Sequence, residues 1–182
     1  IDTREQQPLQ FKRSEVLKLD VGDYGVSGDN YDYTFVDRKS YQDFCATVTN
    51  GYGRFIKELE RCKALGFFLF VVVEVAFGNM WVENARGYKK FRLDYVYHRM
   101  REIQANYSDC CQFVFSGSRR SSEELIPKIL VLGTQLWNVD LQYFWDKQIN
   151  KNGVGNRQTK TVQRVQEYKP RASRKRGIFG RK

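Results

Sequence analysis

"VGDYGVSGDNYDYTFVDRKSYQD", residues 21–43, reads as a β-hairpin that runs into a helix. "VLKLDVGDYGV" (16–26) alternates well enough for a strand, "SGDNYD" is turn chemistry, and "YTFVDRK" (33–39) is β-branched and aromatic. Ser40 then stands as a helix N-cap with Asp43 three residues on, an Asp-containing relative of the capping box. The anomaly is the end of the second strand, where Asp37, Arg38 and Lys39 follow an apolar run. Ionised groups resist leaving water, so three charges there need a reason.

A turn centred on Asn30 sets Asp23 opposite Asp37, and a slip of one residue would turn the whole side-chain set to the other face. Along the second strand Phe35, Asp37 and Lys39 share one face, while Arg38 points the other way. Two facing carboxylates repel, and one would take up a proton. A divalent cation removes that conflict: Mg²⁺ binds through one or two carboxylates and keeps waters for a substrate phosphate. Lys39 would sit over the attacking water or the phosphate, the arrangement that metal-dependent phosphodiester cleavage needs. On spacing alone, a surface ion-pair cluster on an edge strand fits the same residues equally well.

Around the hairpin the chain reads as alternating strands and helices. "IDTREQQP" is an extended opening that Pro8 ends or bends. "RFIKELERCKALG" places Phe55, Leu59 and Cys62 on one helical face, with Gly66 as the stop. "FFLFVVVEV" is a continuous apolar run, expected of a central strand buried on both faces. Residues 91–107 read as a helix, "CQFVFSG" (111–117) as a strand, and "SSEELIPKILVLGTQLW" as a helix bent or started near Pro127. The order implies an α/β protein, a mixed sheet covered by helices.

The 182 residues, 41% of them hydrophobic and 15% aromatic, suffice for one well-formed core. The longest apolar run, "FFLFVVV" (67–73), is far too short to span a bilayer. No secretory leader opens the chain and no Met stands first, so the start reads as trimmed. Cys45, Cys62, Cys110 and Cys111 show no metal-ligand spacing, which suits free thiols in a reducing, intracellular compartment. Residues 150–182 hold 11 Lys/Arg against one Glu, which accounts for the whole net charge of +10. A basic tail on a neutral body points to a polyanion, most often nucleic acid.

"GDY…VDRKSYQD" resembles the signature G-D-(x)n-E-R-K-x-x-x-D of the XPF-type structure-specific endonucleases. "IDTRE" is similar to the D-x-R-E that precedes it in that family, and "YGRFIKELERCKALGFFLFVVVE" and "FVFSGSRRSSEEL" are similar to later elements. The resemblance covers roughly residues 1–135. It implies a three-layer α/β/α restriction-endonuclease-like core over 1–149 that cleaves DNA phosphodiesters with Mg²⁺ or Mn²⁺. By position, Asp23 and Asp37 would be the main metal ligands, with Asp2 and Glu5 adding acidic contacts. Lys39 would orient the water or stabilise developing charge, and Arg38 would support the site or hold a phosphate. The family's Glu is Asp37 here, shorter by one methylene with the charge kept.

Other candidates divide between structure and function. Asp43 matches the family's last Asp, but its capping role explains it without catalysis. Arg54 follows "GYG" and suits either a phosphate contact or a surface charge at a helix start. Glu74 reads as a solvent marker at the strand end, and His98 lacks a partner acid at a telling spacing. In the tail (150–182), "KNGVGNRQTK" with Lys151, Arg157 and Lys160 faintly resembles a single degenerate helix-hairpin-helix, and a flexible basic loop has the same composition. Arg174, Lys175 and Arg176 fit a DNA-tethering arm or a nuclear signal. The expectation is therefore a metal-dependent DNA endonuclease acting on branched or duplex DNA, alone or with a homodimer or protein partner and without a membrane. The lean architecture favours a microbial or viral-host cytoplasm over a nucleus. The alternative is a catalytically silent DNA-binding or scaffold subunit of the same fold.

Overall fold

In the computed structural model, which describes residues 1–28 and 31–151, four strands form one mixed sheet in the order β1-β2-β3-β4. They are β1 (Tyr24–Gly25), β2 (Thr34–Lys39), β3 (Phe68–Val73) and β4 (Cys111–Phe115). β1 runs antiparallel to β2, and the other neighbours are parallel. Helices α1 (Tyr41–Val48) and α2 (Tyr52–Leu65) connect β2 to β3, and α3 (Met80–Arg86) and α4 (Leu93–Tyr107) connect β3 to β4. α5 (Arg119–Leu132) and α6 (Leu141–Lys151) follow. Residues Ile1–Trp145 form one compact unit.

Strand alternation splits the core into two layers. Phe35, Leu69, Val71, Val73, Phe113 and Phe115 meet Phe44, Cys45, Phe55, Leu59, Val96 and Ile103 from α1, α2 and α4. On the opposite face Phe68 stacks on Trp137, whose indole N–H binds Thr34, and Trp145 donates to the Ser116 carbonyl. Buried Ile126 and Ile129 of α5 complete that layer. Every residue of β3 is buried, as its unbroken apolar run predicts for a strand covered on both sides. The expected three-layer α/β/α architecture with a mixed sheet is the one observed.

Four elements differ from the sequence reading. The strand expected over 16–26 shrinks to Tyr24–Gly25, because the N-terminal segment takes the backbone of Leu17 instead: Leu17 N–H donates to Ile1 and Thr3 N–H to Leu17. Pro127 sits inside α5, which begins eight residues earlier at a Ser118 cap. α3 and α6 had no periodicity long enough to announce them, and α3 spans only 7 residues. Asn30, the expected centre of the turn, lies outside the described residues. Among the described residues no helix is long and apolar enough to cross a membrane.

Candidate active site

The hairpin register is Tyr24↔Val36 and Gly25↔Phe35, and Asp23 immediately precedes β1. Asp23 N–H donates to the Val36 carbonyl at 2.8 Å, and Arg38 N–H donates to the Asp23 carboxylate at 2.8 Å. Gly22 makes this approach feasible. Its φ is +65°, and a Cβ there would lie 2.9 Å from the Val36 carbonyl oxygen. Asp37 is 5% exposed, held at the end of β2 between β1 and β3.

The charges around this pair are unequal. Burial, and then the negative charge of Asp37, push the Asp23 carboxyl well above the usual carboxylate range, against the Arg38 N–H bond that favours ionisation. Lys39 Nζ lies 3.0 Å from Asp37 Oδ1 and 2.8 Å from Oδ2. Burial opposes its charge, but Asp37 in contact, with Asp23 and Glu58 beside it, raises the Lys39 ammonium above the ordinary lysine value.

Glu58 of α2 is the member that sequence reading missed. It accepts the Gly22 N–H at 3.2 Å, and burial together with the charge of Asp37 pushes its carboxyl up. The signal was present in the sequence: Glu58 lies three residues after Phe55 and four before Cys62, beside the apolar stripe of α2.

Arg38 lies on the other face, as alternation requires, with both terminal nitrogens engaged there and its Nε buried without a partner. Its Nη1 donates to Glu74 at 2.9 Å, and its Nη2 reaches Glu5 at 3.2 Å and the Gln7 carbonyl at 3.0 Å. All three side chains are nearly buried, 8% exposed for Arg38, 7% for Glu5 and 12% for Glu74. Glu74 is thus a counter-ion, not a solvent marker. Glu5 also accepts from the Tyr24 hydroxyl and Gln7 N–H. These bonds engage Glu5 in an ion triad with Arg38 and Glu74.

Asp2 is likewise occupied. Arg4 binds both of its oxygens, and the Leu19 N–H adds a bond at 2.7 Å. Burial alone would raise its pKa, yet the Arg4 side chain and the Leu19 and Arg4 N–H groups hold it down at about 2. These bonds anchor the N-terminal segment, with both Asp2 oxygens engaged. Asp43 closes the α1 cap, donating its N–H to Ser40 Oγ at 3.2 Å and accepting the Ser40 hydroxyl at 2.6 Å. Arg54 is exposed in the first turn of α2. The side chain of Lys151, and Arg157, Lys160, Arg174, Lys175 and Arg176, lie outside the described residues.

The donor set can be tested against a hard divalent cation. Among the described residues no three His, Cys, Asp or Glu side chains converge as a closed metal cage. Asp23 and Asp37 fit the open alternative, two carboxylates with the remaining positions left to water and phosphate. Their mutual repulsion is the kind a cation relieves.

Comparison with known proteins follows the same lines. No curated protein sequence matches the chain. XPF from Aeropyrum pernix is similar at 22% identity and a TM-score of 0.49, covering 71% of this chain and 56% of that one. A second structure of it, in complex with DNA, gives 20% identity and a TM-score of 0.46, covering 66% and 52%. The chain therefore spans about half the length of the solved relatives it matches. The family described as the ERCC4 domain matches residues 1–129, a span that holds Asp23, Asp37, Lys39 and Glu58. The chain belongs to the ERCC4 domain family.

Proposed function

We propose that this domain is a metal-dependent DNA endonuclease that hydrolyses phosphodiester bonds in branched or otherwise structured DNA. The observation that carries the reading is the placing of Asp23 and Asp37 together at the end of β2, with Lys39 in contact with Asp37. Two acids forced together beside one ammonium are costly as architecture, and an apolar pair would pack the same place more cheaply. Asp23 and Asp37 would hold Mg²⁺ or Mn²⁺, which when bound supplies Lewis-acid polarisation of the phosphate and a more acidic water. Lys39 places a positive charge where the pentavalent oxyanion develops. Arg38 holds β2 in register from the other face through Glu5 and Glu74. Membership of the ERCC4 domain family and the basic balance of residues 150–182 support DNA as the substrate class.

The basic segment 150–182 would add affinity through counterion release, so binding should weaken steeply with salt. Arg54, exposed at the start of α2, would supply a phosphate contact near the site. Cleavage of labelled flap, fork and plain duplex DNA, with Mg²⁺ or with chelator, tests the proposal. Metal-dependent cutting that prefers the branched forms is the expected result. Tight binding without cutting under every metal would instead assign the silent scaffold role.

A further inference from the structure

Lys39 covers both oxygens of Asp37, at 3.0 and 2.8 Å. An ammonium in that position occupies the acceptors that a divalent ion would need. Coordination at Asp37 therefore requires Lys39 to release at least one of these oxygens. Lys39 is 17% exposed, so leaving Asp37 would strand a largely desolvated charge unless a second acid receives it.

Glu58 is bonded at 3.2 Å to the N–H of Gly22, the residue before Asp23, and it interacts electrostatically with both Lys39 and Asp37. Among the described residues its only hydrogen bond is Oε1 to the Gly22 N–H, which leaves Oε2 as an acceptor. The Gly22 backbone is fixed by its φ of +65° and its closeness to Val36, so Glu58 is tethered at a set point next to Asp23. The site thus holds one ammonium and two alternative counter-ions for it, on β2 and on α2.

We infer that Glu58 is a positioning residue for Lys39: occupation of Asp23 and Asp37 by a divalent cation moves the ammonium from Asp37 to Glu58, where it faces the attacked phosphate. The inference rests on the endonuclease reading and deepens it. It gives Lys39 two stations, one that neutralises the metal-free site and one that serves the reaction. It also gives α2 a part in activation, since the helix carries the second station.

Mn²⁺ binding to the full chain, read by electron paramagnetic resonance of the free ion, tests this in four proteins: wild type, Glu58→Gln, Lys39→Met and the double variant. Glu58→Gln should weaken Mn²⁺ binding about tenfold, because the ammonium then stays on Asp37. Lys39→Met should tighten it by removing the competitor. In the Lys39→Met background the Glu58 change should have no effect, a coupling of about 1.4 kcal/mol for a tenfold difference. Glu58→Asp, which keeps the charge with a shorter reach, should report a smaller coupling of the same sign if the amide variant does not fold. Equal weakening in both backgrounds would make Glu58 a ligand in its own right and overturn the inference. Unchanged affinity in folded Glu58→Gln would overturn it as well. Wild type that binds no Mn²⁺ sinks the endonuclease reading together with it, whereas wild type that binds Mn²⁺ with an additive cycle sinks this inference alone.

Discussion

Asp23, the residue before β1, lies beside the end of β2, where its N–H donates to the Val36 carbonyl and its carboxylate accepts the N–H of Arg38, the residue after Asp37, both at 2.8 Å. Strand alternation then lets one tripeptide serve two faces. Asp37 and Lys39 point toward the Asp23–Glu58 side, and Arg38 is clamped by Glu5 and Glu74 on the reverse. Chemistry and scaffold are thus adjacent in sequence and separated by the thickness of the sheet.

Asp37→Ala removes one of the two carboxylates and the main partner of Lys39. Single-turnover cleavage should fall by about a thousandfold or more, the scale of removing a key electrostatic group. DNA affinity by fluorescence anisotropy should stay level or tighten, since a negative charge leaves the path of the phosphate. An equal loss of binding would assign Asp37 to DNA recognition instead.

Arg38→Ala leaves Glu5 and Glu74 nearly buried without their shared cation. Breaking a buried pair from one side costs about 3–5 kcal/mol, so urea denaturation should show a decrease of that order. Arg38→Lys should recover only part, because a point charge lacks the fork that reaches Glu74 from one nitrogen and Glu5 from the other.

Asp2 titrates at about 2 in the folded chain against the ordinary 3.8. A depressed carboxylate contributes stability that is present above the unfolded value and lost as pH falls through the folded one. The contribution of about 2 kcal/mol should therefore disappear between about pH 4 and pH 2. Asp2→Asn should lower stability at neutral pH and flatten that part of the acid limb. Cleavage per folded molecule should hold, which distinguishes an anchor from a metal ligand.

Gly22→Ala places a methyl 2.9 Å from the Val36 carbonyl oxygen and 3.1 Å from Leu69, on a backbone with φ of +65°. A cost of about 1–3 kcal/mol is expected from strain of this kind. Because Gly22 also donates to Glu58 and precedes Asp23, cleavage should fall further than the reduced folded fraction explains. Thermal melting and activity at saturating metal, measured on the same preparation, separate the two effects.

Removing residues 150–182 deletes eleven basic groups and the entire net positive charge. The slope of log affinity against log salt should become shallower by roughly one unit for each phosphate that the segment no longer neutralises. Single-turnover cleavage at saturating protein should change little. An unchanged slope would take this segment out of DNA binding.

Much of this site was legible because its signals are local. The pairing assumed for the hairpin agrees with the observed Tyr24↔Val36 and Gly25↔Phe35 register, and period-two alternation put Asp37 and Lys39 on one face and Arg38 on the other. The unbroken apolar run of β3 announced a strand buried on both sides. Partners distant in sequence were not legible. Glu5 looked like a recruit to the acidic pair, yet it is paired with Arg38, 33 residues away, and Asp2 is held by the neighbouring Arg4 and by the distant Leu19 N–H. Glu74 read as a solvent marker because its cation, Arg38, sits 36 residues away across the sheet. Glu58 reaches the site through the docking of α2 on the sheet, a tertiary relation that helical spacing could hint at but not specify. The first strand was overread for a similar reason: its alternating residues had a competitor for their backbone, the N-terminal segment at Leu17.

The central claim is that Asp23 and Asp37 hold a divalent cation against a DNA phosphodiester, with the Lys39 ammonium beside them to face the phosphate. Its most direct test is cleavage of a labelled flap substrate by the full chain, with Mn²⁺ titrated against wild type, Asp23→Asn and Asp37→Asn. The account predicts saturable, metal-dependent cutting by wild type and none by either variant, with all three proteins folded and bound to DNA. Cutting that persists in both asparagine variants, or that proceeds equally in chelator, would contradict it.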